Sequence, residues 1–514
     1  MEGILSTMSL ILYFVGLFWA APPGLAPVKI ESGLVAGVEQ GDVRVYKGIP
    51  YAAGPVGELR WKPPRRAAAW NGVRAADRFG ASCMQVVRAG VSEISEDCLT
   101  LNVWTGAKTG EKLPVMFWIY GGAFVMGSSA VPIYDGAALA RQGVVVVSIN
   151  YRVGDFGFFA HPALSDAAGG EPVGNYGLMD QVAALEWVER NIAALGGDPR
   201  QVTIFGESAG GMSVNDLMVS PKAKGLFQRA ISESGLGLNE VRPLSRLEDS
   251  GKTMAADLGV AGAPDPIAAL KAIPAKELLA GVSAARAKRG GGILSGGWGP
   301  ALDGQYLPAE PGVLFAQGKQ HRVPYLAGSN SWEASLMATF SVPAESTLAG
   351  LGAQRQQAVS IYEAECGGDQ GVMAAWIYTD GQFGAAARYL AAHMEKVNQP
   401  AWLYHFSYVS ENRRGKAPGA AHGAEIQYVF NNLRLSSSTV TFTAADRAIS
   451  DRMSAYWVRF AKTGNPNPPG KTEWPAYKAS SDELLEFGET VAVRKGFRKA
   501  QLDFHEGRYR GRIR

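Results

Sequence analysis

The sequence predicts an α/β fold built on a large, twisted, mostly parallel central sheet flanked by helices. Three observations lead there. Gln201-Val202-Thr203-Ile204-Phe205 is a β-branched and aromatic run of the kind that forms a buried strand, and Met212 to Val219 has helix-compatible composition up to Ser220-Pro221. Between them stands Gly206-Glu207-Ser208-Ala209-Gly210-Gly211, a G-x-S-x-G turn whose flanking glycines let a strand and a helix approach closely. Further apolar runs, Pro114 to Tyr120, Val323 to Gly328 and Trp402 to Phe406, supply other strands, and a 514-residue chain that is 47% hydrophobic can bury a large core.

The turn sets Ser208 at the end of a strand, exposed and in a strained backbone conformation, as a nucleophile requires. A serine hydroxyl needs a base to take its proton and a buried carboxylate to hold that base in the right tautomer. Of six histidines, His161 precedes a proline, His321 lies in a basic stretch, His393 sits within a helix, His405 occupies a strand and His505 falls in a polar tail. Each reads as a surface or locally satisfied imidazole. His422 differs, because it lies in Gly419-Ala420-Ala421-His422-Gly423-Ala424-Glu425, a small-residue loop that leaves the ring unobstructed. With the order serine, acid, histidine, the acid falls between Ser208 and His422. Glu333, just beyond the strand ending at Gly328, is the best placed; Asp303 is its rival and is equally readable as a turn residue before Gly304.

Acyl transfer also needs donors for an oxyanion. One is the backbone N–H after the serine, that of Ala209. The others are expected from Gly121-Gly122-Ala123-Phe124, a small-residue turn directly after the strand that ends at Tyr120.

These elements belong to a longer series of ordered blocks: Gly48-Ile49-Pro50-Tyr51-Ala52, Leu59-Arg60-Trp61, Ser95-Glu96-Asp97-Cys98-Leu99-Thr100-Leu101-Asn102-Val103, Asn150-Tyr151-Arg152, Gly174-Asn175-Tyr176-Gly177-Leu178-Met179-Asp180-Gln181, Gly196-Gly197-Asp198-Pro199 and Phe460-Ala461-Lys462-Thr463-Gly464-Asn465-Pro466-Asn467. With them the chain resembles the type B carboxylesterases of the α/β-hydrolase superfamily, a group that includes cholinesterases and the neuroligin adhesion proteins. The resemblance runs nearly end to end. It implies one α/β-hydrolase domain over residues 27–514, with small antiparallel strands at its N-terminus, and a serine esterase acting on small-molecule esters. It implies Ser208 as nucleophile, Glu333 as acid, His422 as base, and Gly122, Ala123 and Ala209 as oxyanion donors. Glu207 and Ser234 match positions behind these residues. The acid's segment departs from the family pattern, reading Trp332-Glu333-Ala334 where Asp-Glu-Gly is common.

The resemblance further implies a disulfide between Cys83 and Cys98 and leaves Cys366 as a small buried hydrophobe. In cholinesterases the corresponding loop is long and carries a tryptophan that stacks on the substrate's ammonium group. Here Met84 to Asp97 contains no aromatic residue, which argues against a cholinesterase; the alternatives within enzymes are a lipase, against which the short loop without a long amphipathic lid argues, and an amide hydrolase using the same three residues. Retention of serine, acid and histidine argues against an adhesion role. The Gly/Ala-rich stretch Ala255 to Gly297 reads either as a mobile cover or as helices with a flexible turn. The G-G-A-x form of the oxyanion turn is associated in relatives with room for bulky alcohols.

A net charge of +3, with both signs interspersed, predicts no nucleic-acid partner, and the basic end Arg508 to Arg514 reads as a solvated tail. No motif for a metal, nucleotide or other cofactor is present, and nothing in the sequence sets the oligomeric state. Met8 to Ala21 is almost wholly apolar and is followed by Pro22-Pro23-Gly24-Leu25-Ala26, the pattern of a secretory signal cleaved after Ala26. The absence of an early Lys or Arg keeps an uncleaved anchor as the alternative, although the stretch is short for a span and no stable membrane span is expected after cleavage. A disulfide suits a secreted or periplasmic protein. Strands are expected at Leu34 to Gly37 and Val43 to Tyr46, and activity is expected to fall below about pH 6.5 as His422 protonates.

Overall fold

The computed structural model describes residues 25–87, 91, 93–291, 298–433 and 441–513. Its centre is an eleven-stranded sheet. In chain order the strands are β1 (Val38–Gln40), β2 (Val43–Pro50), β3 (Thr100–Thr105), β4 (Leu113–Ile119), β5 (Val145–Ile149), β6 (Gly197–Glu207), β7 (Arg229–Glu233), β8 (Tyr325–Asn330), β9 (Ala401–Phe406), β10 (Glu483–Phe487) and β11 (Val491–Lys495). Across the sheet they run β11-β10-β9-β8-β7-β6-β4-β5-β3-β2-β1. All neighbours from β5 to β10 are parallel. The flanking pairs are antiparallel.

This is the mixed, mostly parallel α/β-hydrolase sheet that the sequence predicts. β5, β8 and β9 are buried at every position, as strands covered by helices on both faces must be. Their β-branched and aromatic residues suit such positions. On one face Trp118 packs against Phe205 and Phe430 at ring-centroid distances of 4.8 and 4.9 Å; the first contact ties β4 to β6, the second ties β4 to the segment after the helix Ile426–Val429.

The N-terminal strands fall at Gly33–Ala36 and Val43–Pro50, the second longer than expected. The extension arises because Ile49 and Pro50 pair with Leu101 and Thr100 beyond a register irregularity, a long-range contact that local composition does not encode. Gly33–Ala36 pairs antiparallel with Val28–Ile30 and parallel with Val73–Ala75 in a separate small sheet. The apolar segment read as a signal lies outside the described residues except for its last two, Leu25 and Ala26. Among the described residues, no helix is long and apolar enough to cross a membrane.

The basic end corrects an expectation. Instead of a solvated tail, Lys499–Arg512 is a helix whose Leu502, Phe504 and Tyr509 are buried, while Arg512 pairs with Glu310 at 2.8 Å. Ala255 to Gly297 adopts the helical alternative where it is described, with helices Leu244–Asp257, Pro266–Ala272 and Ala275–Lys288. Cys83 and Cys98 form a disulfide, and Cys366 is free and buried.

Candidate active site

The carboxyl ends of β4, β6, β7 and β8 lie side by side, with Gly206 opposite Ile119 and Glu207 opposite Glu233. In parallel α/β sheets this edge is where ligands bind, and each predicted site residue but one follows directly from it. Gly121 to Phe124 follow β4, Ser208 follows β6, Ser234 follows β7 and Glu333 follows β8; His422 lies on the longer connection after β9.

Ser208 has φ +58° and ψ −123°, a conformation that is costly for any residue but glycine. Its N–H donates to the Glu233 carbonyl at 2.9 Å and its carbonyl accepts from Met212 at 2.8 Å, so strand β7 and the helix Ala209–Val219 both hold the turn. The flanking glycines are required by space. A Cβ on Gly210 would stand 2.0 Å from the Ile119 carbonyl oxygen, and one on Gly206 would stand 2.6 Å from it.

The turn after β4 is strained as well. Gly122, Ala123 and Phe124 have φ of +117°, +55° and +60°, and two of these residues carry a Cβ. The Gly122 carbonyl turns inward to accept the N–H groups of Val125 and Met126, both at 3.1 Å. This turn packs directly on the nucleophile's own, since a Cβ on Gly121 would lie 2.9 Å from the Ser208 Cβ. The Ala209 N–H, at the first position of its helix, is one of the donors that a helix leaves without an internal partner.

Glu333 is fully buried. Its Oε1 accepts from the Ser234 hydroxyl at 2.7 Å and from the Asn330 N–H at 2.6 Å, while Oε2 lies 2.6 Å from Nδ1 of His422. The His422 loop is fastened to the end of β8: the Asn330 side-chain amide donates to Ala421 at 2.8 Å, Trp332 N–H to Ala420 at 2.8 Å, and His422 N–H to the Ser335 hydroxyl at 2.9 Å. Next to Glu333, the Ala334 N–H donates to Thr379 Oγ1 at 3.1 Å. On the other side of the imidazole, Nε2 stands 3.0 Å from Oε1 of Glu207, close enough for a charge interaction but off the direction of a hydrogen bond.

Burial by itself would lower the His422 pKa, but the charges of Glu207 and Glu333 outweigh it and hold the imidazole well above its ordinary value. Two further carboxylates stand nearby that sequence reasoning did not single out. Glu425, three residues past His422, is pushed up to about 8 by burial and by the charges of Glu207 and Glu333; it accepts from the Asn330 side chain. Glu233 is held far above the usual carboxylate range, chiefly by burial, and accepts from Trp457 Nε1 at 2.7 Å. In both, burial disfavours the charged carboxylate. The spacing of Glu425 from His422 is the one sequence signal that could have pointed to it.

The rival acid, Asp303, accepts from the backbone N–H groups of Gln305, Tyr306 and Leu307, the pattern of a turn residue. The other histidines are satisfied elsewhere. His161 caps a short helix, His321 meets the Ser220 carbonyl, His393 meets that of Tyr389, and His505 meets the Tyr362 hydroxyl. His405 is buried in β9 and its pKa is driven down to about 4 by that burial.

A model of the Carboxylesterase family matches residues 26–366 and 370–505. The chain belongs to that family. As a carboxylesterase it is a hydrolase that acts on carboxylic esters. This carboxylesterase is 38% identical over 484 residues to the fumonisin B1 esterase of Sphingopyxis macrogoltabida, covering 91% of this chain and 87% of that relative. It is 35% identical over 486 residues to the para-nitrobenzyl esterase of Bacillus subtilis, covering 91% and 95%. A solved PNB esterase structure superposes with a TM-score of 0.80 at 33% identity, covering 93% of this chain and 99% of that one.

A cavity of about 180 Å³ lies against Val125, two residues beyond Ala123, and is also lined by Met84, Gln85, Leu279, Arg286 and Trp298. Arg286 is paired with Asp155, which leaves that wall without net charge.

Proposed function

We propose that this carboxylesterase cleaves its substrate through an acyl-enzyme on Ser208. The contact of His422 with the buried Glu333 at 2.6 Å is the observation that carries the reading, and the strained backbone of Ser208, at φ +58°, supports it. His422 takes the Ser208 proton as the hydroxyl attacks the ester carbonyl, and Glu333 stabilises the imidazolium and fixes its tautomer. The backbone N–H groups of Gly122, Ala123 and Ala209 receive the oxyanion, each such donor being worth about 10²–10³ in turnover. The alcohol leaves with the proton from His422, and water then releases the acid by the same steps. Ser234 and the Asn330 N–H orient Glu333. The neutral, largely apolar cavity beside Val125 suits an uncharged ester group.

Residues 27–514 form one α/β-hydrolase domain in this reading, preceded by a signal peptide that sends the enzyme to an oxidising compartment where the Cys83–Cys98 disulfide persists. Hydrolysis of p-nitrophenyl esters from acetate to palmitate by wild type and Ser208→Ala tests the proposal. Turnover that vanishes in the variant is expected, with the preferred chain length separating a short-ester enzyme from one acting on long-chain lipid esters. Equal turnover by Ser208→Ala would overturn it.

A further inference from the structure

One short segment buttresses the candidate site from outside. Thr379 holds the Ala334 N–H next to Glu333, and the Phe383 ring packs 5.2 Å from the His422 ring. Phe383 belongs to a π-helical turn, Asp380–Gly384, that starts directly after Thr379. Such turns are rare and concentrate at functional sites. The same segment, through Tyr378, Gly381 and Gln382, lines a groove of about 640 Å³ whose lining also includes Arg508 and Tyr509 of the C-terminal helix.

Arg508 is half-buried in this groove. Its Nε donates to the Gln354 side-chain oxygen at 3.1 Å, one terminal nitrogen donates to the Gly350 carbonyl at 2.7 Å, and the guanidinium lies 5.9 Å from the Phe504 ring centre. None of these partners carries a charge. Arg512, one turn on, is by contrast neutralised by Glu310. A guanidinium stays charged throughout the working pH range and offers five N–H donors in a fork that fits a carboxylate. Among the described residues, no carboxylate stands within ion-pair distance of Arg508, and burial is the one influence on its pKa, pushing it down. The rest of the lining is mixed, with Leu238, Val342 and Ile377 beside Thr347 and Gln382.

We infer that this groove binds the carboxylate of an organic acid, with Arg508 forming the ion pair and Leu238, Val342 and Ile377 covering the acid's hydrocarbon part. Because one segment, residues 378–383, lines the groove through Tyr378, Gly381 and Gln382 and touches the candidate site through Thr379 and Phe383, the carboxylate has two sources: a free acid of the kind ester hydrolysis releases, or a second carboxyl group carried by the ester itself. The binding is independent of the chemistry proposed for Ser208, so either can fail alone.

Two measurements on the full-length enzyme separate the sources. Calorimetric titration with octanoate reads the free acid, and a loss of affinity of about ten-fold or more is expected in Arg508→Gln, with partial recovery in Arg508→Lys. The ratio of kcat/KM for p-nitrophenyl hydrogen suberate to that for its methyl ester reads a carboxylate on the substrate. A fall in octanoate affinity assigns the groove to the free acid, a fall in the ratio assigns it to the ester, and a fall in both assigns it to both. If Arg508→Gln does not fold, the exposed substitution Gln382→Glu, which places a negative charge in the groove, is expected to cause the same losses. Unchanged octanoate binding together with an unchanged ratio in a folded variant overturns the inference.

Discussion

Oε1 of Glu207 stands 3.0 Å from Nε2 of His422, the nitrogen proposed to serve Ser208. With Glu333 at Nδ1, one imidazole lies between two carboxylates, and their charges overcome the effect of burial to raise its pKa well above the usual 6.5.

A base must be neutral to accept a proton, so kcat/KM rises as pH rises through the raised pKa. The acid limb is therefore expected above pH 6.5, higher than sequence alone suggests, and Glu207→Gln is expected to move it down towards that value. The sign for stability is opposite. A raised folded pKa means that the imidazolium contributes stability fully below about pH 6.5, and this is lost as pH rises through the folded pKa. A pH–rate profile from 5 to 10 with p-nitrophenyl acetate checks the point; a wild-type limb at or below 6.5 would contradict it.

Replacing Glu333 by Gln keeps the side chain's shape and removes the carboxylate proposed to fix the His422 tautomer. The corresponding change in the Ser-His-Asp template costs about 10⁴ in kcat, and a loss of about 10³–10⁴ is expected here, measurable by stopped assays at high enzyme concentration. A loss below ten-fold would place the acid elsewhere.

Ser234→Ala removes one of the hydrogen bonds to Glu333 but leaves the Asn330 N–H and His422 in place. Hydrogen bonds to a charged group contribute about 1.5–3 kcal/mol. Since Glu333 keeps its other partners, kcat is expected to fall only about ten-fold, with KM little changed. Steady-state kinetics on one ester decides this, and a KM effect with kcat intact would assign Ser234 to substrate binding.

The Cys83–Cys98 disulfide closes a loop with a sequence separation of 15. For such a loop the chain-entropy model gives about 3 kcal/mol. Cys83→Ala in an otherwise folded enzyme is expected to lower the midpoint of urea unfolding accordingly, and an unchanged midpoint would show that the bond adds nothing.

The elbow was legible because its requirements are local: a β-branched strand, glycines where a Cβ would meet the Ile119 carbonyl, and a helix. Glu333 was legible only in part, since Asp303 satisfied the same order and only the turn it caps sets it apart. Glu425 and Glu233 were missed. Their raised pKa values come from burial among carboxylates that converge from different elements, and no sequence window shows that. The C-terminal helix was misread because its arginines mask Leu502, Phe504 and Tyr509, whose burial depends on partners far away in sequence. The extra length of β2 escaped for the same reason, being set by pairing with β3.

Covalent labelling with diethyl p-nitrophenyl phosphate, followed by peptide mass spectrometry, shows whether Ser208 is the residue that becomes acylated. One diethylphosphoryl group per chain is expected, located on Ser208, with activity lost in proportion and no labelling of Ser208→Ala. A label on another residue, or full inactivation without modification of Ser208, would contradict it.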